Sequence, residues 1–223
     1  MGIAENLQVI RKQLPDGVTL VAVSKTKPDK MILEAYETGH RDFGENKVQD
    51  LVAKRERLPE DIRWHMIGHL QSNKVKYLAP FVHLIQGVDS LKLLKVIQKE
   101  ADKADRILDC LLQVHIAQEE TKFGFSWDEL AELGQSEAFH QLGSVRIRGV
   151  MGMATYTADT GQIREEFRTL NHIFDQLKSR WFSDRSYFDQ RSYGMSGDFQ
   201  IAVEEGSTMV RIGSLIFGPR NYD

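Results

Sequence analysis

The sequence has one cysteine, five prolines, no long hydrophobic run and almost no excess of charge of either sign. The single cysteine, Cys110, excludes an intrachain disulfide and a cysteine-based structural zinc site. No stretch approaches the roughly eighteen apolar residues of a membrane span, and the N-terminal residues lack the apolar core of a signal peptide. The net charge of −3 provides no global basic surface for nucleic acid. We therefore expect a soluble cytoplasmic protein that engages neither nucleic acid nor membrane.

Short apolar segments alternate with amphipathic ones along the whole chain. After a leading helix at Ile3–Leu14, the alternation predicts eight strands, at Val18–Val23, Arg41–Gly44, Trp64–Ile67, Val82–Ile85, Ile107–Ile116, Ile147–Met151, Ser192–Gly194 and Thr208–Ile212. Nearly every strand is followed by a predicted helix, which is typical of a parallel sheet in an α/β fold. Eight such units favour a closed (β/α)8 TIM barrel with an extra N-terminal helix. A doubly wound open sheet is the alternative, but the glycine-rich turn after its first strand is missing. The barrel would use residues 1–223 as one domain.

Lys25 stands directly after the first predicted strand, and the chemistry of such barrels lies at the C-terminal ends of the strands. An ammonium group is costly to desolvate, so a lysine in this position can lose its proton and attack an aldehyde as a Schiff-base nucleophile. A solvated loop lysine beside Lys27 is the alternative interpretation.

Turns that contain glycine follow the last two predicted strands. Ser196 and Gly197 follow the seventh strand, and Gly213 and Ser214 follow the eighth, which ends near Arg211. Glycine lets backbone N–H groups approach an anion closely, and phosphate sites recur at this pair of strands in barrels, although two ordinary turns would have the same sequence. A lysine, a phosphate-binding turn pair and an arginine together fit a phosphorylated aldehyde, and pyridoxal 5′-phosphate (PLP) is such a molecule.

Other chemically reactive residues indicate no further site. His65 and His69 are four residues apart, but no third metal ligand is evident, so we expect no metal. We expect Cys110 to be a buried apolar side chain within its strand. Arg146 and Arg148 are interpreted as solvated residues at the start of a strand, and the charged helix predicted at Lys47–Leu58 as a solvated face.

Six segments, in order along most of the chain, resemble the pyridoxal phosphate homeostasis protein family, whose fold is like the barrel domain of alanine racemase. These segments are Leu20–Pro28, Asp42–Gln49, Trp64–Lys74, Gln113–Gly124, Gly194–Asp198 and Val210–Tyr222. The resemblance implies a PLP-binding barrel of the alanine racemase N-terminal-domain type.

The resemblance also implies roles for individual residues. Lys25 would hold PLP as a Schiff base, and Arg211 would face the pyridine nitrogen. The phosphate would be held by Ser196, Gly197, Gly213 and Ser214, with Asn46 and Met195 as neighbours of the cofactor and His69 as a further lining residue. Two residues depart from the family pattern: His115 replaces an expected asparagine and Tyr193 an expected methionine.

Two functions are compatible with these residues. The resemblance implies a protein of intracellular PLP (vitamin B6) homeostasis that buffers or delivers the cofactor without robust catalysis, with PLP-dependent apo-enzymes as recipients. A small PLP-dependent amino-acid racemase is the alternative, and it needs an acid–base partner for Lys25, for which Tyr156 is the nearest candidate. Alanine racemase completes its site with a second domain, for which the barrel leaves no residues. We therefore expect a monomeric carrier.

Overall fold

Eight parallel strands pair in chain order and close on themselves in this protein, which a computed structural model describes over residues 2–118 and 123–219. The strands are β1 (Thr19–Val23), β2 (Asp42–Glu45), β3 (Arg63–Met66), β4 (Leu84–Val88), β5 (Leu108–Gln113), β6 (Val145–Met151), β7 (Gln190–Ser192) and β8 (Met209–Ile212). The predicted closed barrel is confirmed. Parts of two family-like segments, residues 119–122 and 220–222, lie outside the described residues.

Helices follow the strands and cover the outside of the barrel. They are α1 (Ile3–Gln13), α2 (Asp29–Glu37), α3 (Val48–Arg57), α4 (Val75–Leu78), α5 (Leu91–Lys103), α6 (Trp127–Gln135), α7 (Glu137–His140), α8 (Thr160–Trp181), α9 (Phe199–Glu204) and α10 (Ser214–Phe217). The extra helix α1 buries Ile3, Leu7 and Ile10, and Asn6 donates a hydrogen bond to the Ile216 carbonyl in α10. No helix within the described residues has both the length and the apolar character needed to cross a membrane.

Closure between β1 and β8 determines which loops become neighbours. Val21 of β1 lies opposite Arg211 of β8 in a parallel register, so the loop that begins at Ser24 is adjacent to the loop that begins at Gly213. The first and last strands of the chain therefore deliver their C-terminal ends to the same side of the barrel mouth.

Two predicted strands are displaced along the sequence. β4 begins at Leu84, because the amide of Val82 is already used in a hydrogen bond to the Leu78 carbonyl at the end of α4. β7 ends at Ser192 and not at Gly194, whose φ of +95° turns the backbone away from the strand direction. The predictions of Val82–Ile85 and Ser192–Gly194 were therefore wrong by two to three residues at their ends, while the strands themselves exist. The predicted strand Ile107–Ile116 likewise extends three residues beyond Gln113, where β5 ends.

The strands separate two kinds of interior. Their outward faces pack against the helices in one large apolar core. Inside the barrel a smaller apolar cluster, made of Val21, Leu84, Leu111, Met151 and Met209, fills part of the space. Buried polar side chains occupy the rest of the interior and begin at the mouth with Arg211.

Gly149 is a point at which the barrel tolerates no side chain. Its φ is +152°, and a Cβ atom there would lie 1.8 Å from the carbonyl oxygen of Gln190 in the neighbouring strand. We expect Gly149→Ala to lower the free energy of unfolding by about 3 kcal/mol or more, because β6 and β7 would have to separate. Urea unfolding followed by circular dichroism measures this change.

Gly143 provides the matched control, since a Cβ there would meet no heavy atom within 4 Å. Gly143→Ala should change stability by no more than about 0.5 kcal/mol. Equal stability of the two variants would contradict the close approach of β6 and β7.

Candidate functional site

Lys25 is half-buried, and the backbone before it is fixed from two sides. The Ser24 amide donates to the Gly44 carbonyl at 3.1 Å, which extends the β1–β2 pairing by one residue. The Ser24 carbonyl accepts a hydrogen bond at 2.8 Å from the ammonium of Lys54 in α3. Thr26 then adopts a φ of +64°, a turn conformation that a non-glycine residue rarely takes. The position of Lys25 is thus determined by its backbone neighbours.

Glu45 and Lys54 form a buried ion pair beneath this loop. Glu45 Oε1 accepts hydrogen bonds at 2.6 Å from both the Lys54 ammonium and the Ser24 hydroxyl, while no partner of Oε2 lies among the described residues. Burial raises the pKa of the Glu45 carboxyl, and the Lys54 charge and the two hydrogen bonds oppose that rise. The interpretation of Lys47–Leu58 as a solvated face was therefore wrong at Lys54, because that side chain crosses from α3 to the strand ends.

Lys27 joins the loop after β1 to the end of the chain's last helix. Its ammonium donates to the carbonyls of Phe217, Gly218 and Pro219 at 3.2, 3.2 and 2.7 Å. These carbonyls have no partners inside α10, so a cation at this helix end is favourable. Lys27 therefore holds α10 against the loop that carries Lys25.

The turns after β7 and β8 lie side by side at the mouth. The Gly213 amide donates to the Ser196 hydroxyl at 3.3 Å, and the Met195 amide donates to the Asp198 carboxylate at 2.5 Å. A Cβ at Gly213 would lie 3.1 Å from the Val23 carbonyl oxygen, so the chain passes close to β1 and a side chain there would need a small shift of the backbone. A Cβ at Gly197 would meet nothing within 4 Å, which leaves the backbone there open to a ligand. Ser214 begins α10 beside them.

Arg211 lies inside the barrel just below these turns and is only 4% exposed. Its Nη1 donates to the carbonyl and hydroxyl of Ser192, at 2.8 and 2.6 Å, and its Nη2 donates to the Gly152 carbonyl at 3.0 Å. Burial lowers the pKa of the guanidinium to about 10, and the charge of Asp198 opposes this effect. Arg211 is therefore protonated at neutral pH. Its Nε has no acceptor within the described part of the chain, which leaves a donor for a ligand.

The remaining predicted neighbours take different positions. Asn46 and Met195 are half-buried at the ends of β2 and β7. His69 is exposed, with its ring 3.1 Å from the Asp89 carboxylate and its centroid 4.9 Å from that of Phe123. His69 thus belongs to the outer rim of the mouth.

The two departures from the family pattern differ in consequence. The Tyr193 ring packs against Phe167 of α8, with centroids 4.7 Å apart, and its hydroxyl oxygen lies 2.8 Å from both Asn171 Oδ1 and the Glu205 carbonyl oxygen. Its place in the layer between barrel and helices gives it no contact with the mouth, and burial raises its pKa to about 12. His115 is half-buried in the loop after β5, where its amide donates to the Phe125 carbonyl.

Sequence reasoning missed a set of polar side chains inside the barrel: Asp42, His65, Gln86 and Ser192. The spacing of His65 and His69 raised the question of a metal-ligand pair. Instead, His65 points into the interior, where its Nε2 lies 3.1 Å from Asp42 Oδ1. Arg146 and Arg148 are likewise not merely solvated, since both bind the Asp109 carboxylate, at 2.5 and 2.9 Å. Cys110 is fully buried as expected, and burial raises the pKa of its thiol. The available sequence signal for these interior residues is an isolated polar residue within an apolar segment, as at His65 and Gln86.

The mouth therefore combines a primary amine, a cluster of glycine and serine residues suited to an anion, and a buried cation with a spare donor. Comparison with known proteins agrees with this chemistry. Residues 2–221 match the family described as alanine racemase, N-terminal domain. The pyridoxal phosphate homeostasis protein of Aquifex aeolicus is 41% identical over 204 residues, covering 91% of this chain and 87% of that protein. Its namesake from Escherichia coli is 36% identical over 234 residues, covering 99% and 97%.

Solved structures show the same relationship. PipY of Synechococcus elongatus, 36% identical, superimposes with a TM-score of 0.90 without PLP and 0.87 with PLP bound, covering 97% of this chain and all of that one. An alanine racemase from Bartonella henselae is 15% identical, with a TM-score of 0.76 over 97% of this chain and 58% of that one. The latter likeness is one of fold alone.

The ion pair beneath Lys25 can be tested through stability. We expect Lys54→Met to lower the free energy of unfolding by about 3–5 kcal/mol at neutral pH, because it leaves the Glu45 charge buried without its partner. Without that partner the pKa of Glu45 rises further, so the folded state binds a proton more readily than the unfolded state. Stability of the variant should then increase as the pH is lowered from neutral toward the unfolded pKa of glutamate.

Denaturant unfolding of the native protein and the variant, at a series of pH values, measures both effects. Lys95→Met, at an exposed lysine of α5, is the control and should change stability by no more than about 0.5 kcal/mol at any pH. Identical behaviour of the two variants would show that Lys54 does not compensate Glu45.

Proposed function

We propose that this chain, which belongs to the pyridoxal phosphate homeostasis protein family and carries the alanine racemase N-terminal domain, binds PLP on Lys25 and buffers or delivers it. The observation that carries the proposal is the meeting of Lys25, the Ser196–Gly213 contact and buried Arg211 at one barrel mouth. PipY, a relative that covers nearly the whole chain, has been solved with PLP bound.

The donor set of the mouth fits a phosphorylated aldehyde. Gly213 lacks a side chain where the backbone passes β1, Gly197 borders open space, and Ser196 and Ser214 add hydroxyl donors for a phosphate. PLP would supply an aldehyde, which condenses with the Lys25 amine to a Schiff base and one water. Asn46 and Met195 would border the bound cofactor.

Arg211 argues against aminotransferase chemistry, although a racemase tolerates an arginine in this position. A guanidinium only donates hydrogen bonds, so a pyridine nitrogen that faces Arg211 must accept one and remain unprotonated. A neutral pyridine ring withdraws electrons less than a protonated ring, which weakens it as an aid to breaking bonds of an amino acid. The acid–base candidate Tyr156 is 98% exposed and so lies in water, which favours carrier over racemase.

Absorbance spectroscopy tests the covalent attachment. After incubation with PLP and gel filtration, the native protein should keep the visible absorbance of a protein-bound Schiff base, and Lys25→Ala should lose it. Lys30→Ala, at an exposed lysine of α2, is the control and should resemble the native protein. A colourless native protein, or a coloured Lys25→Ala variant, would contradict the proposal.

A second measurement separates the carrier from an enzyme. Amino acids incubated with the loaded protein in D2O should exchange their α-protons far more slowly than an ordinary enzyme would allow. Exchange with a kcat of about 1 s⁻¹ or more, abolished by Lys25→Ala, would make the protein a small racemase-like enzyme.

We also propose that the protein is a cytoplasmic monomer and that it delivers PLP to PLP-dependent apo-enzymes. Phe123 follows β5 and is 51% exposed, so it offers an apolar contact at the mouth to an incoming apo-enzyme. If transfer is direct, its rate should rise with the concentration of apo-enzyme, and Phe123→Ser should slow it.

Ile107→Ser is the matched control, because Ile107 is 59% exposed but precedes β5 and so lies at the opposite end of the barrel. Rates that are equal for both variants and independent of the apo-enzyme concentration would indicate release of PLP into solution first. Sedimentation of the loaded protein checks the monomer.

A further inference from the structure

A chain of hydrogen bonds crosses the inside of the barrel from the mouth to the opposite end. We call it the polar thread, and its members are Arg211, Ser192, Gln86, His65 and Asp42. Arg211 Nη1 lies 2.6 Å from Ser192 Oγ, which lies 2.7 Å from Gln86 Oε1. Gln86 Nε2 lies 3.0 Å from His65 Nδ1, and His65 Nε2 lies 3.1 Å from Asp42 Oδ1. Consecutive hydrogen bonds of the thread therefore connect residues of five strands, which are β8, β7, β4, β3 and β2.

For a neutral His65, the two ends of the thread and the orientation of the Gln86 amide fix the direction of every bond between them. Arg211 can only donate, so Ser192 Oγ accepts from it and gives its single proton to the oxygen of Gln86. The amide nitrogen of Gln86 can only donate, so Nδ1 of His65 must accept and the ring proton must lie on Nε2. That proton faces the Asp42 carboxylate, which only accepts. All four bonds thus run from Arg211 toward Asp42.

The reverse orientation of the Gln86 amide is incompatible with a neutral His65. With the amide turned, its oxygen would face Nδ1, which would then need a proton. Nε2 could meet the Asp42 carboxylate only if it also carried one, so the ring would have to be an imidazolium. The turned amide would also move its oxygen to the place where Nε2 now lies 3.2 Å from the Met209 sulfur, a weak acceptor. The orientation of one amide and the charge of one imidazole are therefore linked.

The central members of the thread, Ser192, Gln86 and His65, are at most 1% exposed, so a polar atom that loses its partner there is costly. We propose that Ser192, Gln86 and His65 are positioning residues for Arg211, which the thread aligns with the cofactor end of the barrel from as far away as Asp42. The opposite end is held by Arg63, whose Nε and Nη2 grip the two Asp42 oxygens at 2.8 and 2.5 Å. The role toward the cofactor rests on the proposed function; the alignment of Arg211 does not.

A metal site is the alternative interpretation of the end of the polar thread at Asp42 and His65. Ligand atoms of Asp42, His65 and His83 lie within 4.8 Å of one another. A cation there would need the lone pair of His65 Nε2, the atom that holds a proton in the thread. The polar thread and a metal site therefore exclude each other and predict different states of the His65 ring.

Nitrogen NMR of the cofactor-free, 15N-labelled protein tests the direction of the thread. His65 is assigned by the loss of its ring signals in His65→Leu. We expect Nε2 protonated and Nδ1 unprotonated in the native protein, with no change when Zn²⁺ is added in equimolar amount. In Gln86→Glu the new carboxylate only accepts, so both His65 nitrogens should become protonated. A proton on Nδ1 in the native protein, capture of Zn²⁺ by His65, or an unchanged ring in Gln86→Glu would overturn the proposal.

The guanidinium N–H signals of Arg211, in the same samples, test whether the far part of the thread reaches the mouth. His65→Leu and Gln86→Met each break the thread without touching Arg211. We expect the Arg211 signals to shift and their protons to exchange with solvent roughly tenfold faster. Leu111→Ala is the control, since it empties part of the interior apolar cluster without altering the thread. It should lose stability yet keep the native Arg211 signals, and equal signals in all variants would overturn the proposal.

Loading with PLP separates this inference from the proposed function. If the native protein binds PLP, breaking the thread should shift its absorbance maximum and weaken binding roughly tenfold, while Leu111→Ala should do neither. If the native protein binds no PLP, the proposed function fails, but the signals of His65 and Arg211 still decide on the thread. If PLP binds but Gln86→Met changes neither its absorbance nor its affinity, the positioning role is wrong while the proposed function stands.

Discussion

A guanidinium inside a barrel has to be surrounded by acceptors, and much of this structure follows from that requirement. The charge of Arg211 cannot reach bulk water, and desolvating it without partners would cost far more than a domain's net stability. Its acceptors come from the ends of two other strands, the Gly152 carbonyl after β6 and the Ser192 carbonyl and hydroxyl in β7. The strands β6 to β8 therefore have to end at matching heights, and the interior there has to be polar.

The strands of this protein could be predicted from its sequence, whereas the polar contacts inside the barrel could not. The alternation of apolar and amphipathic segments is local, so the eight strands and the barrel could be predicted, with errors of two to three residues in β4, β5 and β7. Lys25 and Gly213 stand at strand ends and inside family-like segments, which is why they could be singled out. Ser192, Gln86 and His65 are single polar residues in three separate strands. Their pairing depends on strand order, register and inward orientation, none of which a period in the sequence contains.

Lys54 shows a second limit of the same kind. Helical spacing places it on the same face of α3 as the buried residues Val48 and Leu51, but the sequence of the helix contains no sign of the acceptors that a buried ammonium needs. Only the strand end brings Glu45 and the Ser24 carbonyl within reach and makes its burial tolerable. Three lysines around the loop after β1 thus have different tasks: Lys54 and Lys27 hold backbone and carboxylate groups, and Lys25 is presented to the mouth.

The three hydrogen bonds from Lys27 to the end of α10 have a consequence for biosynthesis. The ammonium belongs to residue 27 and its acceptors to residues 217–219, so the contact waits until almost the whole described chain has left the ribosome. At about 5–20 residues per second, β1 stays without its neighbour β8 for roughly ten seconds or more. A nascent chain halted before Met209 contains Lys25 and β1 but lacks β8, the other half of the closing seam. Such truncated chains would expose an unpaired strand edge, which is a target for chaperones.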